Sequence, residues 1–158
     1  GTDFMKLHQN WKAIEDPYNE GEDIVLVPAT KPDVGIIHAK KADKWGNVLA
    51  PGYEDRMVAQ ASEIFIATVE EIVDYNLMDD PRGGYPIPWA FVSRVVLVPH
   101  GAHPAGMEDL YDIDDEHFAE YVKAAKTEEG FEAYLDRFVR GHTEEEYQAM
   151  VGGLVAAR

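Results

Sequence analysis

Three polar clusters in this 158-residue chain carry side chains able to do chemistry, and each directly follows a short apolar run. His38-Ala39-Lys40-Lys41-Ala42-Asp43 follows Val34-Gly35-Ile36-Ile37, and Glu70-Glu71 ends the run that starts at Ile64. His100-Gly101-Ala102-His103-Pro104 follows Val95-Val96-Leu97-Val98. Lys40, Lys41 and Lys44 suit an anionic ligand, although lysine runs are also ordinary solvated surface. Glu70 or Glu71 suits a general base or a charge partner. Neighbouring residues of an extended chain point to opposite sides, so at most one of the two faces a site. His38 reads either as a site residue or as the polar end of a strand. His100 and His103, with Glu108, Asp109 and Asp112 beyond, match no defined zinc spacing, and no metal is expected. Gly101 and Gly106 around His103-Pro104 fit a tight loop whose backbone approaches a ligand or a partner chain.

The elements that must position these clusters are legible around them. Ile24-Val25-Leu26-Val27, Val34–Ile37, Ile64–Val69 and Val95–Val98 are short runs that do not alternate between apolar and polar. Such runs suit strands buried on both faces of a parallel or mixed sheet covered by helices. Ligands of open α/β sheets bind outside the carboxyl ends of the strands, so parallel strands would bring all three clusters to one edge. Glu54 to Ser62 reads as a helix with Met57, Val58 and Ala61 on one face. Trp45–Leu49 reads as a turn and a short extended piece, and Asp79–Pro88, rich in breakers, as a loop.

From residue 101 on the pattern becomes helical. Asp114 is placed to cap a helix carrying Phe118, Tyr121, Val122 and Ala125. Thr127 caps a second, with Phe131, Tyr134, Leu135, Phe138 and Val139 on one stripe and Gly141 as its stop. Thr143-Glu144-Glu145-Glu146 is a capping box for a third, with Tyr147, Met150, Val151, Leu154 and Val155, which Gly152-Gly153 weakens. The expected organisation is one α/β domain over residues 1–158, strand-rich to residue 100 and mostly helical after it.

Composition narrows the function. There are 14 basic residues against 30 acidic ones, a net charge of −16, and no cysteine. Residues 1–100 hold 16 acids and 9 bases, and residues 101–158 hold 14 and 5. A nucleic-acid partner or an anionic membrane surface would need clustered Lys and Arg. The missing cysteine excludes a disulfide framework, a thiolate nucleophile and a Cys-ligated zinc. No run approaches the roughly 20 apolar residues of a membrane span, and the first residues do not read as a signal peptide, so a cytoplasmic location is expected. Neither G-x-G-x-x-G nor G-x-x-x-x-G-K-[ST] occurs, and Ser62 and Ser93, the two serines, lie in no nucleophile motif.

The same clusters carry a resemblance. Ile14-Glu15-Asp16-Pro17-Tyr18, Val27-Pro28-Ala29, Pro32-Asp33-Val34, Ile37-His38-Ala39, Ala42-Asp43, Gly46-Asn47-Val48, Thr68-Val69-Glu70-Glu71-Ile72-Val73 and Gly101-Ala102-His103-Pro104 occur in this order. The chain resembles the α subunit of class I CoA-transferases, the glutaconate CoA-transferase-like group, over residues 10–140. The resemblance implies an α/β fold with a mixed or mostly parallel sheet flanked by helices and a helical C-terminal end. It implies an enzyme of α and β subunits that acts on acyl-CoA thioesters through a glutamate carried by the β subunit. Glu70, Glu71 and His103 are then supporting residues rather than the nucleophile. His38, Lys40, Lys41, Asn47, Gly101, Ala102, His103 and Pro104 are the expected contacts to substrate or CoA. Lys40 or Lys41 would pair with CoA phosphates, and the Gly101–Pro104 loop would shape the pocket by backbone contact.

Coenzyme A enters as a substrate moiety, and no tightly bound cofactor is expected. One expected partner is a β subunit. Another is a chain or segment that supplies the N-terminal half of the family's α chain, with its glycine-rich loop, which nothing here matches. Some relatives are hydrolases or decarboxylases, so these reactions stand as alternatives. A non-catalytic interaction domain is the reading from another class.

Overall fold

A computed structural model describes residues 3–151. Where length alone points to one domain, the chain divides into two compact units, residues 1–32 and the remainder from Asp33. The first holds helix α1 (Phe4–Leu7) and strands β1 (Lys12–Glu15) and β2 (Asp23–Leu26), paired antiparallel with Ile14 opposite Ile24. Phe4, His8 and Trp11 stack at its start. The Ile24–Val27 run is therefore not a doubly buried strand. It lies in a two-stranded hairpin with every residue of both strands exposed, because no further strand or layer pairs with it.

The second unit is built on a five-stranded sheet in the order β6-β4-β3-β5-β7. Its strands are β3 (Val34–Asp43), β4 (Val48–Ala50), β5 (Ile64–Val73), β6 (Tyr85–Ile87) and β7 (Arg94–Leu97). β3, β5 and β7 run parallel, with Val34 opposite Ile64 and Ile66 opposite Arg94. β4 pairs antiparallel with β3 and β6, so the sheet is mixed. β6 lies inside the stretch read as a loop. It takes Pro86, which has no N–H to offer, only because it is an edge strand.

Helix α2 (Tyr53–Ala61) covers one face of the sheet, and Ile37, Ala39, Phe65, Ala67, Val69 and Ala59 form the core between them. Gly35 permits this contact: a Cβ there would lie 2.2 Å from Ser62 Oγ and 2.9 Å from Val58 Cγ1. The opposite face differs from expectation. Val34, Ile36, Ile64 and Val96 are exposed on it, Ile36 to 66 %. Continuous β-branched runs suit two covered faces, but the described chain covers the amino-terminal half of this sheet on one side only.

The helical end forms α3 (Asp115–Ala124), α4 (Glu128–Phe138) and α5 (Glu144–Val151). Asp114 and Thr127 accept the capping bonds, Gly141 sits at φ +74°, and Thr143 and Glu146 close the capping box. Leu154, Val155 and Gly152-Gly153 lie outside the described residues. On α3 the expected stripe of Phe118, Tyr121 and Val122 is exposed, and His117 is the buried residue. The reason is the contact between α3 and α4, which turns His117 toward Tyr134 and Phe138. No helix among the described residues is long and apolar enough to cross a membrane.

Candidate active site at the sheet edge

The polar clusters do not begin where the apolar runs end. β3 and β5 each continue for ten residues, so His38–Asp43 and Glu70–Glu71 are strand residues. Alternation then sorts them. Glu70 turns to the side of His38, and Glu71 to the side of Lys41, whose Nζ lies 3.0 Å from it. The bond to Glu71 raises the Lys41 pKa against the opposing effect of burial.

His38 and Glu70 form the centre of a bonded group. His38 Nδ1 lies 2.7 Å from Thr68 Oγ1, the hydroxyl of which donates to the Ile37 carbonyl at 3.2 Å. His38 Nε2 lies 2.5 Å from Glu70 Oε1. Tyr111 Oη also donates to Oε1, and the His100 N–H donates to Glu70 Oε2 at 2.6 Å. The Ala102 N–H in turn donates to Tyr111 Oη at 3.1 Å. The side chains of His38 and Glu70 are 14 % and 8 % exposed. Burial, and then the bond to Glu70, push the Tyr111 phenol above its ordinary range and keep it a donor. Glu70 thus pins the loop after β7 to the sheet. Its carboxylate already serves three donors and is not presented as a free nucleophile or base.

That loop fits tightly. A Cβ on Gly101 would lie 2.6 Å from His38 Cε1 and 2.9 Å from the Val98 carbonyl oxygen. The N–H groups of His100, Gly101, Ala102 and His103 are all bonded within the protein. The loop can therefore contact a ligand through its surface and carbonyls, but not through free amide donors.

Other expected contacts lie elsewhere. Lys40 is buried within β3 and pairs with Asp109 at 3.0 Å and Glu108 at 3.6 Å, so it is no open loop cation. Asn47 belongs to a buried turn: its Nδ2 donates to Asp43 at 2.8 Å and its Oδ1 accepts from the Trp89 N–H at 2.9 Å. Burial pushes the Asp43 carboxyl up, but bonds from Asn47, Leu77 and Trp45 outweigh it and hold the pKa below the ordinary value. Pro104 offers its carbonyl to the Asp114 N–H at 3.0 Å.

His103 turns away from Gly101 into the helical end. Its Nδ1 meets Tyr147 Oη at 2.6 Å and its Nε2 meets Asp114 Oδ2 at 3.2 Å, and its side chain is 2 % exposed. His117 packs edge-on against it, ring centroids 4.8 Å apart, and bonds Tyr134 Oη through Nε2 at 2.7 Å. The His117 N–H bond, and then His103, hold the Asp114 carboxyl below its ordinary range. Burial, and then His103, lower His117 likewise, and burial pushes the Tyr147 phenol up to about 12. Tyr111, Thr68, Tyr134, Tyr147 and His117 carry no local motif. Only Thr68, two residues before Glu70 on the same strand face, had a sequence signal.

The order of elements and the position of this edge match known proteins. The family model for coenzyme A transferase matches residues 8–97. The chain belongs to the coenzyme A transferase family. It is 36 % identical over 154 residues to the α chain of the 3-oxoadipate CoA-transferase of Pseudomonas knackmussii, covering 96 % of this chain and 54 % of that one. The glutaconate coenzyme A-transferase of Acidaminococcus fermentans superposes with a TM-score of 0.82 at 37 % identity, covering 90 % of this chain and 46 % of that chain. A variant of the decarboxylase AibA/AibB superposes with a TM-score of 0.68 at 37 % identity, covering 85 % and 51 %. This coenzyme A transferase chain thus spans about half the length of these relatives.

Proposed function

We propose that the protein forms part of the α subunit of a heteromeric enzyme that transfers CoA from an acyl-CoA thioester to a carboxylic acid. The carrying observation is the state of Glu70. It is the one acidic residue placed at the centre of the sheet edge, and its carboxylate is consumed by His38, Tyr111 and the His100 N–H. The attacking carboxylate therefore comes from a partner subunit, and this chain supplies the rigid wall of the pocket.

In the proposed reaction a partner glutamate attacks the thioester carbonyl and expels CoA thiolate, leaving an acyl anhydride. The thiolate attacks the glutamyl carbonyl of that anhydride, which releases the acid and leaves a glutamyl-CoA thioester. The acceptor carboxylate then repeats the sequence in reverse order. Each tetrahedral step needs donors aimed at the developing oxyanion. The loop after β7 has none to spare, so those donors belong to the partner as well. The CoA phosphates also find little here, because Lys40 and Lys41 are both paired with carboxylates.

The bare face of β3, β5 and β7 supports the same reading. Relatives of this chain are about twice its length. The polypeptide corresponding to the rest of the relatives' α chain would cover Val34, Ile36, Ile64 and Val96. It would then stand beside His38 and Glu70, which share that face. The test is turnover by the assembled complex with an acyl-CoA and a carboxylate acceptor. Formation of the acceptor's CoA ester supports transfer. The likeness to a decarboxylase keeps a second reading open, and CO2 release or CoA hydrolysis without acceptor CoA ester would select it instead.

A further inference from the structure

The geometry points to a divalent-metal site within this chain, formed by His103, Asp114 and His117 and separate from the Glu70 group. One ring nitrogen of each histidine and one carboxylate oxygen of Asp114 all lie within 4.8 Å of one another. A zinc ion with bonds of about 2.0–2.2 Å needs ligand atoms roughly 3.4 Å apart, so side-chain rotations of about an ångström close the set.

The surroundings are those of a metal site. Zinc-bound histidines usually hold their second nitrogen on a fixed partner, which sets the tautomer and aims the ring. His103 Nδ1 is held by Tyr147 Oη at 2.6 Å, and His117 Nε2 by Tyr134 Oη at 2.7 Å. That leaves His103 Nε2 facing Asp114 Oδ2 and leaves His117 Nδ1 with no hydrogen-bond partner among the described residues. His117 is itself 5 % exposed, so the free nitrogen belongs to a residue packed inside the fold. A self-contained hydrogen-bond cluster explains the His103–Asp114 pair but gives that nitrogen nothing to do.

The ligand set also selects the ion. Two imidazoles and a carboxylate, with no thiolate anywhere in the chain, suit zinc or another first-row divalent ion and not calcium or magnesium. Three protein ligands leave a position for water. The ion would join the loop after β7 to α3 directly, and to α4 and α5 through Tyr134 and Tyr147. Gly101 of that loop is the residue that touches His38, so metal occupancy would order the candidate site from outside it.

The test uses the full chain, freed of any affinity tag and stripped with chelator. Zinc is titrated by calorimetry, thermal unfolding is followed with and without zinc, and cobalt(II) is added as a spectroscopic probe. The expected result is one ion per chain, a raised melting temperature, and visible cobalt bands stronger than those of the aquo ion. Asp114→Asn keeps the helix cap while removing the anion, and Tyr147→Phe removes only a ring support. Each should weaken zinc at least about tenfold, with an unchanged circular dichroism spectrum in chelator. His117→Gln should abolish the cobalt bands. No zinc binding by the wild-type chain overturns the proposal. Binding that is the same in Asp114→Asn and His117→Gln also overturns it, as an adventitious surface ion.

Discussion

At the scale of single residues, Glu70 acts as an anchor. Three donors converge on a carboxylate that is nearly buried, so removing it strands a phenol, an imidazole and a backbone N–H together. Glu70→Ala should cost about 2–4 kcal/mol of unfolding free energy, read from urea midpoints, because each abandoned buried group costs roughly 1–3 kcal/mol. Tyr111→Phe should cost about 1 kcal/mol by the same measurement, since it removes only one of the donors. A Glu70→Ala chain as stable as wild type would show that the bonds are not made in solution. Asp43 gives a pH dependence. Its folded pKa lies below the ordinary 3.8, so its contribution is complete above that value and is lost as pH falls through the lower folded one. Asp43→Asn should flatten the acid limb of a stability–pH curve below about pH 4 and leave its form near neutrality unchanged.

Elements decide where these residues stand, and here the sequence was informative in part. The parallel strands and the helix caps at Asp114, Thr127 and Thr143 could be read from apolar runs and capping chemistry. Strand length could not: His38, Lys40 and Glu70 are polar, yet the ladder between β3 and β5 carries them past the apolar run, with His38 opposite Thr68 and Lys41 opposite Glu71. Pairing between distant strands is invisible to a local pattern. The same limit hid Tyr111, which reaches Glu70 across 41 positions of sequence. It hid the burial of His117 too, because the orientation of α3 is set by α4 rather than by the α3 stripe. One close approach tests the layer. Gly35→Ala would set a Cβ against Ser62 Oγ and should cost about 1–3 kcal/mol, the usual range for overpacking. Pairing it with Ser62→Ala, which deletes the nearer obstruction, should recover part of that loss. Equal stability of the single and double variants would contradict this packing of α2 on β3.

For the whole molecule, the informative fact is an uncovered sheet face on a chain half as long as its relatives. Ile36 is exposed, so Ile36→Lys should change the stability of the isolated chain by no more than about 0.5 kcal/mol. The same substitution should prevent co-purification with the rest of the enzyme, as read by size-exclusion chromatography of co-expressed polypeptides. Retained assembly would mean that this face is not the contact. The net charge of −16 belongs to this scale as well. A polyanionic CoA held by this chain alone would meet paired lysines and an acidic surface, which is why the catalytic carboxylate and the phosphate contacts are assigned to a partner.

That assignment is open to direct trial. The assembled complex would be incubated with acyl-CoA in the absence of acceptor, and the enzyme-bound thioester reduced with borohydride. Peptide mass spectrometry then locates the glutamate converted to its alcohol. The account predicts that the modified glutamate lies on the partner and that this chain carries none. Modification at Glu70 or Glu71 would contradict it.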